Sequence, residues 1–140
     1  MHEKYIIWEP IKSYTPELHL EKVLLEEGLK ITFKDEDDKI ITFHYNRYDN
    51  YAYILSYRVI DEFIGSLEYS AKLENIRKNN PDIKWSFFKV KDSSYINWYD
   101  SLMPGIVANS YPDIEHHVYF DSQYIIEVLS TYEPHVTITE

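Results

Sequence analysis

The chain of 140 residues has the length of one compact domain, and 44% of its residues are hydrophobic, which is enough for a core. It contains no cysteine, three isolated glycines and no apolar stretch near the ~18 residues of a membrane span, which argues against disulfides, cysteine-ligated metals, glycine-rich phosphate loops and spanning helices. The net charge of −10 argues against nucleic acid and against an anionic membrane as partners. We therefore expect a single cytoplasmic domain covering residues 1–140.

The first half of the chain predicts β-strands. A short apolar and aromatic run at residues 4–8 stops at Pro10. Residues 29–33 and 40–45 alternate apolar and polar side chains on either side of an acidic turn, which is the pattern of a β-hairpin. A further strand is expected at residues 53–60, after a loop rich in tyrosine.

Residues 18–25 fit two structures. Pro16 before them and Gly28 after them are typical helix start and stop signals. The alternation from Leu18 to Leu20 instead indicates a strand that enters the next strand through a tight turn. Both interpretations stay open at this point.

Two helices are predicted next along the chain. Residues 61–79 carry apolar side chains near one face and stop before Pro81. A second helix is expected to begin after a cap at Asp92 or Ser93 and to end at Pro104. Three of its apolar residues share one face: Tyr95, Trp98 and Leu102.

A third helix is predicted to start at a cap on Asp121 or Ser122 and to run to about Thr131. Further strands are expected at residues 84–90, 116–120 and 134–139. Strands come mostly first and helices mostly later, which favours the α+β class. The sequence therefore predicts a mainly antiparallel sheet of about six to eight strands with two or three helices packed on one face.

No motif in the chain points to a metal or a catalytic centre. His116 and His117 are adjacent on a predicted strand, so their rings point to opposite faces and cannot share one ion. A calcium loop starting at Asp35 would need glycine and glutamate where Ile40 and Asn46 stand. We expect no metal, no cofactor and no catalytic residue, and a melting temperature that chelators leave unchanged. A small hydrolase with an unrecognised carboxylate or histidine site stays open as an alternative.

Charge is distributed unevenly along the chain. All 14 lysines and arginines lie at or before Lys91, whereas the 49 residues that follow hold eight acids and no base. A field of one sign steers a partner of the opposite sign. Asp92 and Asp121 are assigned to helix caps. Three acids have no evident structural role and are expected to face a basic protein partner: Asp100, Asp113 and Glu115.

Aromatic residues are the second candidate for a binding surface. The chain has 14 tyrosines, and residues 44–53 hold four of them beside asparagine and arginine, which are residues that interfaces favour. Tyr45 and Tyr53, inside predicted strands, are expected to pack the sheet. Tyr48 and Tyr51, in the loop between those strands, are candidates for contact with a partner, as is Trp98.

Several segments of the chain resemble a known family. They are GLKITF at 28–33, YRVIDE at 57–62, WSFFKV at 85–90, SYINW at 94–98, EVLS at 127–130 and Glu133-Pro134. Together they resemble a family of small proteins from Gram-positive bacteria that look like the immunity-type proteins encoded beside secreted polymorphic toxins. The resemblance covers about residues 18–139, favours a strand at residues 18–25 and implies no catalytic residue.

The sequence therefore predicts a non-catalytic protein-binding module of the immunity or antitoxin type, which neutralises a basic toxin domain. Neither nucleic acid nor a membrane is expected as a partner. Besides the hydrolase, the other alternative is a homodimeric structural protein whose exposed aromatic residues form the dimer face. The expected partner surface comprises Tyr48, Tyr51, Trp98, Asp100, Asp113 and Glu115.

Overall fold

A computed structural model of the chain describes residues 3–11, 18–48, 52–61, 78, 86–121 and 123–139. Within this part of the chain no helix is long and apolar enough to cross a membrane. The strands are β1 (Lys4–Ile7), β2 (His19–Leu25), β3 (Leu29–Lys34), β4 (Ile40–Tyr45), β5 (Ser56–Asp61), β6 (Phe87–Lys91), β7 (Glu115–Phe120), β8 (Tyr124–Ser130) and β9 (His135–Thr139). The helices with both ends described are α1 (Ser94–Leu102) and α2 (Ile106–Ser110).

The strands form two antiparallel sheets. The five-stranded sheet has the order β1-β6-β7-β8-β5, and the four-stranded sheet has the order β2-β3-β4-β9. Their facing sides share one hydrophobic core, to which Phe33 and Phe43 contribute from the four-stranded sheet and Phe87 and Tyr119 from the five-stranded sheet. Phe43 and Tyr119 contact each other across the two sheets, with their ring centroids 4.9 Å apart. The aromatic packing therefore ties the two sheets together.

The predicted hairpin is confirmed. Strands β3 and β4 pair in one continuous antiparallel register, in which Ile31 lies opposite Phe43 and Phe33 lies opposite Ile41. All four side chains are fully buried. The acidic turn is closed by Asp35, whose Oδ1 accepts hydrogen bonds from the backbone N–H groups of Asp37 and Lys39, each at 2.9 Å. Apolar and polar residues alternate with period two because one face of these strands is buried in the core.

The open choice for residues 18–25 is settled by β2, a strand that covers His19–Leu25. Strand β2 pairs with β3, with a register irregularity between Leu20 and Lys22. The backbone N–H of Leu20 donates to Oδ2 of Asp121 at 2.7 Å, which joins β2 to the turn between β7 and β8. The helix signal at Gly28 has another cause, because this glycine has φ of +113° and closes the turn between β2 and β3.

The helix predicted from Asp121 or Ser122 to Thr131 is wrong. The chain forms strand β8 there, hydrogen-bonded to β7 on one side and to β5 on the other. Asp121 is not a helix cap, since its Oδ1 accepts from the backbone N–H groups of Gln123 and Tyr124 in a turn between two strands. Residues of β8 are buried on both faces, so apolar residues stand at neighbouring positions and the segment lacks the alternation of a half-buried strand.

Helix α1 begins where the sequence places it, but only one of the two expected caps is real. Ser93 is the cap, and its Oγ accepts from the backbone N–H of Ile96 at 3.1 Å. Asp92 has φ of 54° and lies outside the helix. The helix ends at Leu102 and is followed by the short α2, which the sequence analysis missed.

The predicted helix at residues 61–79 falls outside the described residues except at its first residue and at Lys78. Asp61 is the last residue of β5, so that strand runs one residue beyond its expected end. The predicted α+β class is confirmed in its general form, since the described residues form mostly antiparallel strands together with helices. Its finer form differs, because the described strands number nine and form two sheets where one sheet of about six to eight strands was expected.

Candidate functional site

The outer face of the five-stranded sheet, opposite the shared core, carries a buried chain of polar side chains. Oγ of Ser93 lies 2.7 Å from Nδ1 of His116, and Nε2 of His116 lies 2.8 Å from Oε1 of Glu127. All three residues are at most 3% exposed. The N-cap of α1 is thereby fixed to two neighbouring strands, β7 and β8.

Arg58 of β5 extends this series of hydrogen-bonded side chains to the edge of the sheet. Its Nε donates to Oε2 of Glu127 at 2.5 Å, and its guanidinium lies 4.0 Å above the ring centroid of Tyr95. The Tyr95 hydroxyl lies 2.6 Å from Oγ of Ser56, also on β5. The first turn of α1 is therefore held to β5 by the two contacts of Tyr95.

The buried carboxylate of Glu127 is stabilised by hydrogen bonds from His116 and Arg58. Burial alone would raise the pKa of Glu127, but the hydrogen bonds from His116 and Arg58 outweigh it and lower this pKa to about 2. An ionised carboxylate only accepts hydrogen bonds, so Nε2 of His116 is the donor. In a neutral His116 ring, Nδ1 is then the acceptor of the Ser93 hydroxyl proton.

Ser93, His116 and Glu127 are the residue types of a hydrolase triad and are linked by hydrogen bonds. Their arrangement nevertheless supports a structural role. In such triads the serine contacts Nε2 and the carboxylate contacts Nδ1, whereas here the two nitrogens are exchanged. Oγ of Ser93 also accepts from the helix backbone and is buried. A substrate carbonyl has no approach to a serine oxygen in this position.

A second polar network starts in the core between the sheets. His117, fully buried, places Nδ1 2.7 Å from the hydroxyl of Tyr45, which lies 2.5 Å from the hydroxyl of Tyr119. Its Nε2 lies 3.1 Å from Oε1 of Glu115, and its ring stacks on Trp8 at 4.7 Å. The buried hydroxyls are thus connected through one imidazole to a carboxylate near the surface.

Lys89 completes this second network at the surface. Its Nζ lies 3.2 Å from Oε2 of Glu115 and 2.9 Å from Oε1 of Glu133, which also accepts from Nε1 of Trp8 at 3.0 Å. Hydrogen bonds from His117 and Lys89 lower the pKa of Glu115 to about 2. Burial lowers the pKa of His117, and that ring therefore stays neutral around pH 7.

The donors of the second network can be assigned from these charges. Ionised Glu115 accepts from Nε2 of His117, which leaves Nδ1 of the neutral ring as an acceptor for the Tyr45 hydroxyl. The Tyr119 hydroxyl then donates to the Tyr45 oxygen. Burial raises the pKa of both tyrosines well above 10.0, so both remain protonated.

The two adjacent histidines thus point to opposite faces of the sheet, as the sequence predicts. His116 faces α1, and His117 faces the shared core. Among the described residues, no group of three histidines or acids is placed to hold a metal ion.

The predicted partner residues occupy several places on the surface. Tyr48 is 60% exposed, and its ring contacts Tyr53 at 5.1 Å. Trp98 is 50% exposed on α1 and contacts Tyr95 at 5.8 Å. Tyr51 lies outside the described residues. The structure shows no contact that brings Tyr48 and Trp98 together within its described part.

Two of the three predicted partner acids have structural roles that the sequence analysis did not anticipate. Oδ1 of Asp100 accepts from the backbone N–H of Val107 at 3.0 Å and so fastens α2 to the end of α1. Glu115 bridges His117 and Lys89. Asp113 is exposed in the loop before β7.

Helix α1 presents an apolar patch to solvent at its C-terminal end. We call it the α1 patch; it consists of Trp98, Leu102 and Met103, which are 50%, 63% and 62% exposed. Trp98 and Leu102 are one helical turn apart on the same side. The expected buried face of this helix is therefore carried by Tyr95 alone, since Tyr95 is its one buried residue.

A groove lies between the two sheets at their β2 and β5 edges. Its volume is about 560 Å³, within the range of about 300–1,000 Å³ typical of ligand sites. One wall is the turn at residues 25–28, and the other is the segment at residues 53–57. The sequence analysis does not select this groove, although its strand interpretation of residues 18–25 requires a tight turn before residue 29.

Comparisons with protein-family models, with curated proteins and with solved structures found no match to this chain, so the site is interpreted from its own geometry.

Proposed function

We propose that this protein is a non-catalytic binding module of the immunity type, which acts in the cytoplasm by neutralising a basic protein partner. The observation that carries the proposal is the α1 patch. Three large apolar side chains at the end of one helix are at least half exposed. Contiguous apolar surface rimmed by polar residues is typical of protein interaction sites.

The helix that carries the α1 patch is rigidly mounted. Its N-cap, Ser93, is bound to buried His116, and its C-terminal end is fastened to α2 through Asp100. A rigid aromatic anchor loses little conformational freedom on binding. Trp98 is therefore suited to be a main contributor to affinity, since tryptophan is enriched among such residues.

The charge of the molecule favours a basic partner. The net charge is −10, and Asp113 is exposed in the loop that follows α2. The ring of Tyr111 in that loop contacts Tyr99 of α1 at 6.4 Å, which holds the loop beside the helix. An acidic surface next to an apolar anchor accelerates encounter with a cationic protein.

The direct test is binding of the full chain to a basic toxin-type domain, sought first among the products of the genes adjacent to its own. Trp98→Ala is expected to accelerate dissociation by about fivefold or more, and Leu102→Ser to act in the same direction. Ile138→Ala, which shortens an exposed side chain on β9, is the matched control and should leave dissociation unchanged. A dissociation rate indifferent to both patch variants, or no binding, would contradict the proposal.

A small hydrolase is the second candidate, and the contacts joining Ser93, His116 and Glu127 are the observation in its favour. A fluorophosphonate probe distinguishes the two functions, because it labels an activated serine. We expect no labelling of the folded protein, given the burial of Ser93. Labelling that is lost in Ser93→Ala would favour the hydrolase.

A further inference from the structure

We propose that the groove between residues 25–28 and residues 53–57 binds an extended peptide segment of a protein partner, and that it accommodates a lysine or arginine side chain of that segment. The proposal rests on the proposed function in taking a basic protein as the partner. It adds a binding site separate from the α1 patch, together with the chemistry of the residue bound there.

The charged groups of the groove have one sign. Glu26 and Glu27 are the ionisable acids of its lining, and the nine lining residues include no lysine, arginine or histidine. Both glutamates are exposed, and their carboxylates have no hydrogen bond or ion pair within the part of the chain that the structure describes. A cationic side chain is the complement of this pair of charges.

The remainder of the lining suits the rest of such a residue. Leu25, Ile54 and Leu55 supply apolar surface, against which the methylene groups of a lysine or arginine pack. Tyr53 and Tyr57 supply aromatic rings, whose faces attract a guanidinium or ammonium group. The groove therefore combines the three features that recognise a long basic side chain.

The backbone of the acidic wall is held by hydrogen bonds and by close packing. The backbone N–H of Glu26 donates to the Gly28 carbonyl at 3.0 Å, and the Glu27 carbonyl lies 3.3 Å from Nε2 of His44. A Cβ atom on Gly28 would lie 2.1 Å from the Tyr45 carbonyl oxygen, so the turn is packed closely against β4. A preorganised wall reduces the entropy lost on binding.

A protein segment fits the groove better than an isolated small cation. The aromatic wall continues outward, because Tyr48 contacts Tyr53 beside the groove and is itself largely exposed. Tyr57 and Val59 then present exposed side chains along β5. An occupant that extends beyond the groove in both directions would cover these apolar groups as well.

The test is a titration of the full chain with the peptide acetyl-Leu-Arg-Leu-amide, followed by amide chemical shifts in NMR spectra. We expect saturable shifts at residues 25–28 and 53–57. Replacing the arginine of the peptide by neutral citrulline should weaken binding about fivefold, and replacing it by glutamate should weaken binding further.

The protein variants locate the effect. E26Q/E27Q is expected to weaken binding of the arginine peptide about fivefold. D37N/D38N removes the same amount of charge at the turn on the far end of β3 and should leave binding unchanged. Spectra of both variants outside the mutated turns report whether the fold is intact.

Several results would overturn the proposal. These are shifts located elsewhere, equal affinity for the arginine and citrulline peptides, or equal loss of affinity in the two double variants. Shifts in the groove that appear on concentration without peptide would show that a second copy of the chain is the occupant, which also overturns it. A partner that is sensitive to Trp98→Ala but not to E26Q/E27Q would contradict the groove alone, while failure of all basic partners to bind would contradict the proposed function.

Discussion

His116 and His117 show what a single residue's position in the sequence can predict. Strand alternation places the two rings on opposite faces, which needs only the period of two. Their partners are not accessible to the same reasoning, because Ser93, Glu127 and Tyr45 come from other elements. Residue types and local spacing do not indicate which distant side chain will meet a buried imidazole.

Ser93 is predicted to be the more important of two neighbouring serines. Ser93→Ala removes the N-cap of α1 and the hydrogen-bond partner of His116, and should cost about 1–3 kcal/mol of unfolding free energy. Ser94→Ala removes only an exposed contact with Glu3 and should cost less than about 0.5 kcal/mol. Urea unfolding of the two variants measures the difference. Equal losses would show that the buried contact contributes nothing.

The lowered pKa values of His117, Glu115 and Glu127 predict that the free energy of unfolding decreases as the pH falls. The pKa of His117 is below 6.5 in the folded protein, so below that pH the unfolded state binds a proton that the folded state does not. Glu115 and Glu127, with pKa values lowered to about 2, add a further loss as the pH falls below 4.5. For buried Glu127 this loss is on the order of 3 kcal/mol.

Urea unfolding from about pH 7 to about pH 3 tests this expectation. The unfolding free energy should decline throughout that range, and Glu127→Gln should decline less steeply below pH 4.5 because its amide does not titrate. A free energy that is constant, or that rises in acid, would contradict the assigned ionisation states.

At the scale of elements, the sequence succeeds at strands that alternate or carry no helix signal, and fails at β8, where a cap-like residue precedes a segment without alternation. Strands β3 and β4 alternate and were predicted with nearly correct bounds. Strand β8 lies inside the five-stranded sheet, so its sequence lacks alternation, and the cap-like Asp121 before it favours a helix. The buried Glu127 adds to the ambiguity, because its partner Arg58 is on β5.

The hairpin predicts a large effect at Phe33. Phe33→Asp places a charge in the core shared by the two sheets, where no cation is available in the cluster, and should cost several kcal/mol, on the order of 3–5. Ile138→Asp, at a position on edge strand β9 where the side chain is 43% exposed, should cost about 1 kcal/mol or less. Thermal unfolding followed by circular dichroism distinguishes them. Similar melting temperatures would mean that Phe33 is not a core residue.

At the scale of the whole molecule, several acids of the base-free last third lie next to bases from the rest of the chain, so the negative charge is distributed less unevenly in the fold than in the sequence. Glu127 pairs with Arg58, and Glu115 and Glu133 both pair with Lys89. Folding thus brings bases from the first two thirds to acids of the last third. Sequence order could reveal the uneven distribution of charge, but only the sheet pairings reveal which acids are neutralised. The remaining field comes from the net charge of −10 and from exposed acids such as Asp113.

The most direct test of the account is the association rate of the full chain with the basic toxin-type partner, measured by stopped flow as salt is raised from about 0.05 M to about 0.5 M. We expect the rate to fall about tenfold or more over that range. At low salt, Asp113→Lys in the loop that Tyr111 holds against α1 should slow association more than Asp37→Lys in the β3–β4 turn, although both change the net charge equally. A rate that is independent of salt and identical in both variants would contradict recognition of a basic partner at this surface.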